Sequence, residues 1–254
     1  MKTMKIGAHT VKIYDAIEEM PVLRYHKFTK CLMVDAGIGS DISAVDRHLY
    51  KARYYISAGK PDLAQIELEN LRQAILFVGN NITPKLTAFA AIVAEIDGKL
   101  QTDITDAALQ KVSEMLQSAT MKEIADAVDA EKKKIDDELK VYFAALFDDE
   151  SDKEYFDLLK ARTMLILRGI TTQNPDTQQI EIFTHKLLLH VKPRMFYGRD
   201  NAEVVFDKNF DKLCIALSEH TNTSVKSMTV FEFYTLYEYA REKIKQQKKQ
   251  QKKN

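Results

Sequence analysis

Apolar residues recur at three- and four-residue spacing through most of this chain, and the runs break at proline, glycine and capping residues. From Pro21, whose missing N–H is not needed in a first turn, a helix is predicted over 21–36 with Tyr25, Phe28 and Leu32 on one face, and Gly37 stops it. Ser40 and Asp41 cap a second helix with the seam Ile42, Val45, Leu49, Ala52 and Ile56. Pro61 opens a third, with Ala64, Leu68, Leu71, Ile75 and Val78, and the short link between the two predicts an antiparallel hairpin. Thr83-Pro84 starts a fourth helix through Leu86, Phe89, Val93 and Ile96, ended by Asp97-Gly98. Ahead of all this, Val11, Ile13 and Tyr14 suit a brief strand or an ordering arm.

Beyond the polar stretch 99–105 a shorter helix carries Leu109, Val112 and Leu116. Thr120 then caps a long helix running from Ile124 to Leu146. Residues 131–134 interrupt its apolar stripe, which predicts a middle that is solvated on every side or bent. The acidic cluster 148–152 breaks it, and Ser151 with Glu154 matches a capping box for the next helix. The polar run 171–179, centred on Asn174-Pro175, is the strongest linker signal. Helices follow over 180–190 and 201–219, and a last one from Met228 carries Val230, Phe233, Tyr237, Ala240 and Ile244 before continuing as a polar extension. The expected architecture is all-α, a multi-helix bundle of antiparallel helices with a long basic C-terminal helix. Three segments are expected: a four-helix unit with its arm at 1–98, a middle segment at 99–170, and a C-terminal segment at 171–254.

Composition narrows this only a little. Eight glycines and five prolines in 254 residues argue against many-turned all-β folds and agree with long helices. Lys and Arg balance Asp and Glu at 37 each, so bulk charge selects neither nucleic acid nor a membrane surface. Cys31 and Cys214 lack partners at metal-ligand spacing and read as buried thiols. No segment approaches the ~20 apolar residues of a membrane span, and the expected setting is a cytoplasm.

Candidate chemistry is sparse. Gly37-Ile38-Gly39-Ser40-Asp41 places two glycines before a helix start, but it lacks the Lys of a P-loop and reads as a structural connection. His185 and His190, five apart, face different sides of a helix, so no metal site is expected. Nor do the carboxylates at 148–152 or 95–103 assemble a catalytic or calcium-binding pattern. No cofactor and no enzyme activity are expected. The residues suited to a partner are the basic stripe Arg24, Lys27 and Lys30, the aromatics Phe233 and Tyr237, and Arg241, Lys245 and Lys248 of the tail. From Arg241 to Asn254 seven Lys or Arg stand against one Glu, which suits water, an acidic protein surface or phosphate.

The stretch MPVLRYHKFTKCLMVDAGIGSD at 20–41, the helix DLAQIELENLRQAILFV at 62–78 and the ending TVFEFYTLYEYAREKIKQQ at 229–247 resemble structural-module proteins of tailed bacteriophages, most of all those of crAss-like phages. The likeness covers the first third and the last tenth of the chain. It implies a virion component, such as an oligomeric ring subunit at the portal-proximal neck or the tail, made in the host cytoplasm and joined to copies of itself and to other phage proteins. The alternatives are an assembly chaperone that leaves before the particle matures and a packaged protein that touches nucleic acid through its basic tail.

Overall fold

A computed structural model describes residues 1–147 and 153–251; the side chains of 147 and 248–251 are not described. The acidic break expected at 148–152, with the Ser151 half of its capping box, lies outside the described residues.

The chain opens on a hairpin, β1 (Lys2–Ile6) and β2 (His9–Ile13), paired antiparallel from Lys2↔Ile13 to Ile6↔His9. Gly7 turns it with a positive φ of 55°, and a Cβ there would strike Ser118 Oγ at 2.6 Å. The helices α1 (Val22–Gly37), α2 (Ile42–Ser57), α3 (Pro61–Gly79) and α4 (Pro84–Ile92) follow, close to the expected bounds. The fourth departs from expectation in one respect. It stops at Ile92, and the chain becomes β3 (Val93–Ile96) and β4 (Lys99–Leu100), giving a four-stranded sheet in the order β1-β2-β3-β4. The cause is a run from Ala88 to Val93 that is buried on every side, so helical spacing has no solvent face to detect. Val93 and Ile96 pair with Ile13 and Val11, and Asp97-Gly98, both at positive φ, form the tight turn of a hairpin where a helix stop was expected.

The remaining elements are α5 (Asp106–Met115), α6 (Met121–Tyr142), α7 (Ala144–Phe147), α8 (Lys153–Thr172), α9 (Thr177–His190), α10 (Ala202–Ser218) and α11 (Val230–Gln251). The fold is mainly all-α, as expected, with the small sheet added. Thr120 and Glu123 close a reciprocal capping box at the start of α6. The middle of that helix is continuous and not solvated on every side: Lys132, Lys133 and Lys134 are exposed, but Glu131 is buried and accepts a 2.7 Å bond from Lys2 Nζ, tying α6 to β1.

One apolar cluster joins Val11 and Ile13 of the sheet, Phe28 of α1, Phe89 and Ile92 of α4, and Ile124, Ile135 and Leu139 of α6. It crosses the expected boundary at 98/99, so the first two segments share a core. A second cluster joins Cys214 and Leu217 of α10 to Phe233 and Ala240 of α11, with Val22 of α1. The starts of α1 and α11 are stitched together: Val22 N–H donates to the Met228 carbonyl, Val230 N–H to that of Met20 and Phe231 N–H to that of Ile17, at 2.9, 2.9 and 3.0 Å.

Two hairpins lie outside these cores, α2 with α3 and α8 with α9. In the first, only the alanines of the expected seams, Ala52 and Ala64, are buried, Val45, Leu71 and Val78 are half-buried, and the large aliphatic members face outward. Ala44, His48, Ala52 and Tyr55 pack against Ala64, Glu67, Asn70 and Ala74, while Ile42, Leu49, Ile56, Leu68 and Ile75 turn outward. Small alanines let the two helices approach, and a buried histidine–glutamate bond fixes their faces. In the second, the run expected to be a linker is a tight turn, where a Cβ on Gly169 would lie 2.8 Å from Pro175 Cα. Asp176 caps α9 by accepting from Gln179 N–H at 3.0 Å.

Candidate interaction surfaces

Most of the residues singled out from sequence for a partner are engaged within the chain. Arg24 is only 4% exposed, and its guanidinium donates to the carbonyls of Ala91 and Val93 at 3.0 and 2.9 Å and to that of Gln101. It takes up backbone acceptors freed where α4 gives way to β3, so it belongs to the fold and not to a basic stripe. Lys27 pairs with Asp106 at 2.6 Å and Lys30 with Asp207 at 2.7 Å, reaching α5 and α10 respectively. Phe233 is buried in the second cluster, with Tyr237 packed on it. Arg241 donates to the Ala145 carbonyl at 2.8 Å. Lys245 is exposed, and Lys248 is placed on α11 by its backbone alone.

The buried titratable groups are similarly committed. His48 and Glu67, each 1% exposed in their side chains, meet at 2.5 Å through Nδ1, and His48 Nε2 faces the Ile38 carbonyl at 2.8 Å. A carbonyl can only accept, so Nε2 carries a proton and a second lies between Nδ1 and the carboxylate. Both ring nitrogens are thus occupied, leaving none to act on a substrate. His26 stacks on Phe206 and Phe210 at centroid distances of 4.6 and 4.0 Å and bonds Asp207 at 2.8 Å; burial holds its pKa below the ordinary histidine value. Burial also pushes the Cys31 thiol up to about 11 and raises that of Cys214, which disfavours the reactive thiolate at neutral pH. Among the described residues no three His, Cys, Asp or Glu side chains are grouped to hold a metal ion.

A cleft of about 890 Å³ opens between the starts of α2, α4 and α6, lined by Asp35, Asp41, Arg47, Thr83 and Lys85 above an apolar floor that includes Leu116 and Ile124. Its position was legible only as the Gly39-Ser40-Asp41 connection; Asp35, Arg47 and Lys85 carry no local signal. Asp35 has no hydrogen-bond partner among the described residues, and burial raises its pKa although Lys85 and Arg47 pull it down. Asp41 is spent as the α2 cap, accepting from Ala44 N–H at 2.8 Å. No His or Cys lines the cleft, and its two cations and two carboxylates balance.

Much of the unengaged surface on four helices is apolar. Half of the large apolar side chains left exposed lie on α2, α3, α8 and α9. Ile42 is 72% exposed and Ile75 52%, on helices whose inner faces are already packed. On α8 the outward positions Phe156, Met164, Leu167 and Ile170 are between 56% and 69% exposed, and Gly169 is its only buried residue. Exposed apolar surface of this kind on a water-facing helix suits contact with another apolar surface. No single described helix is long and apolar enough to cross a membrane; α3 and α4 together reach that composition but are bent by 72°, and α4 is buried in the core. The chain matches no protein-family model, no curated protein and no solved structure.

Proposed function

We propose that this chain is a non-enzymatic structural subunit that acts by helix-mediated contact with copies of itself and with other proteins. In the setting its sequence resemblance implies, it is a ring component at the portal-proximal neck or the tail of a tailed phage particle. The observation that carries the subunit reading is the outward apolar surface of α2, α3, α8 and α9, on faces that the rest of the described chain leaves exposed. Fully burying one Leu, Ile, Met or Phe side chain contributes about 1.5–3 kcal/mol, so a surface of this kind gains more from a protein partner than from water. The committed state of Arg24, Lys30, His48 and Glu67 agrees with it, because the charged groups inside the chain brace helices against one another.

Native mass spectrometry of the purified chain, combined with proteomics of purified particles, tests the reading. The expected result is an oligomer in solution and the chain present in the particle. A monomer at every concentration, together with absence from particles, overturns it. Presence in infected cells but not in particles transfers the role to an assembly chaperone. Loss of affinity for nucleic acid with rising salt would identify a phosphate-binding tail, which has Lys243 and Lys245 exposed on α11.

A further inference from the structure

The outward face of α8 is a seam with its own internal logic. Phe156, Lys160, Thr163, Leu167 and Ile170 follow at spacings of four, three, four and three, which keeps them in one stripe about 21 Å long at 1.5 Å per residue. Met164 widens the stripe on one flank. On that same flank lie Asp157 and Arg168, eleven residues apart and so about 20° apart around the helix. Both are exposed, and neither side chain forms an ion pair among the described residues.

We propose that α8 pairs antiparallel with α8 of a second copy of this chain about a two-fold axis at Thr163. The inference rests on the reading that the chain self-associates. In such a pair, positions whose numbers sum to about 326 face each other. Phe156 meets Ile170 of the other copy, and the flank carrying Asp157 meets the flank carrying Arg168. A parallel pair would instead turn this flank toward the opposite flank of the other copy, the one carrying Leu159, Arg162 and Ile166 that packs on α9, where Arg162 donates to Thr184 at 2.7 Å; only the antiparallel arrangement brings Asp157 and Arg168 together and so favours a like partner. Lys160 lays its methylene stem along the stripe and keeps its ammonium at the edge. The chain's formal net charge of zero places no long-range repulsion between copies. A two-fold seam closes on itself, so α8 joins subunits in pairs, and the outer face of α2 and α3 is left for any contact that builds a ring. With four large apolar side chains per copy the seam is smaller than a standard interface of about 1,600 Å², which predicts a dimer that dissociates on dilution.

Sedimentation equilibrium of the full chain over a concentration series tests this, with thermal melts confirming that each variant is folded. Leu167→Glu should abolish the dimer and leave the melt unchanged. Asp157→Arg alone and Arg168→Asp alone should each weaken association at least tenfold, more so at low salt, and the double variant should recover it. Dimers that survive Leu167→Glu, or single charge variants that the double variant does not rescue, overturn the seam while leaving the wider assembly reading in place. A wild-type chain that is monomeric throughout also overturns it; absence from purified particles is what would remove the wider reading as well.

Discussion

The sheet-centred core and the two outlying hairpins solve the same problem in opposite ways. Around the sheet, large side chains such as Phe28, Phe89, Ile92 and Ile135 are inside, and the charged groups that enter are claimed, Arg24 by three carbonyls and Glu131 by Lys2. In the α2–α3 hairpin the inside is alanine, histidine, glutamate and asparagine with one large side chain, Tyr55, and most of the large aliphatic residues are outside. The α8–α9 hairpin buries almost nothing. Hydrophobic burial therefore stabilises the first region directly, whereas in the second much of the available apolar surface is exposed. The first hairpin is held by the His48–Glu67 bond and by a small cluster of Ala44 and Ala74 with Val34, Ile38 and Phe196, and it meets the second where Tyr54 stacks on His185 and Tyr55 Oη donates to the Leu188 carbonyl.

The sharpest way to break this contrast is at Arg24. Arg24→Ala leaves carbonyls of Ala91, Val93 and Gln101 without a donor in or near the core, and should cost about 4 kcal/mol or more, read as a loss of cooperative folding in urea. If that variant folded normally, the junction of α4 and β3 would not depend on the clamp. Next in size is His48→Ala, which strips Glu67 of its buried partner and should cost about 3 kcal/mol by denaturant titration, with hydrogen exchange rising first in α2 and α3.

Asp35→Asn acts in the other direction. Because burial raises the folded-state pKa of Asp35, its favourable contribution is complete below the unfolded carboxylate value and is lost as pH rises through the raised one. The ionised carboxylate is therefore a cost at pH 7, and the amide should lift Tm by up to about 3 °C there, with the gain vanishing near pH 3. A gain that persisted in acid would place the benefit in packing and not in charge. The smallest effect is expected outside: Leu68→Gln with Ile75→Gln should leave monomer stability within about 0.5 kcal/mol, since both residues already face water. A loss of several kcal/mol would make that face part of the hairpin's own support.

Helix starts were readable from sequence because their causes are local. Pro21, Asp41, Thr83-Pro84 and the Thr120/Glu123 box each act within a few residues, and the helices begin where those residues place them. Of the sheet only a brief strand at Val11 and Ile13 was readable, now β2; the rest was not, because Asp97-Gly98 serves equally as a helix stop and as a hairpin turn, and strands of two to five residues leave too short a pattern to choose. Helix faces also escaped, since α2 offers one three-four stripe in Ile42, Leu49 and Ile56 and another in Ala44, His48 and Tyr55. The smaller, more polar stripe is the one turned inward, because its partner on α3 presents Glu67. Arg24, Lys27 and Lys30 look alike along the chain, yet their acceptors lie on segments 67 to 177 positions away. Distances of that kind are set by topology.

The stitching of α1 to α11 bears on the order in which the molecule is completed. The carbonyls of Ile17 and Met20 wait for donors at Phe231 and Val230, and Val230 is itself fully enclosed in the main cluster. During synthesis the earlier helices and the sheet can gather, but the place that Val230 fills in the main cluster stays open until residue 230 has cleared the ribosome. Closing it is a contact across more than two hundred positions, the entropically slow kind. A nascent chain arrested before Thr229 should therefore remain sensitive to protease around residues 14–22, and release of the last helix should end that sensitivity in one step.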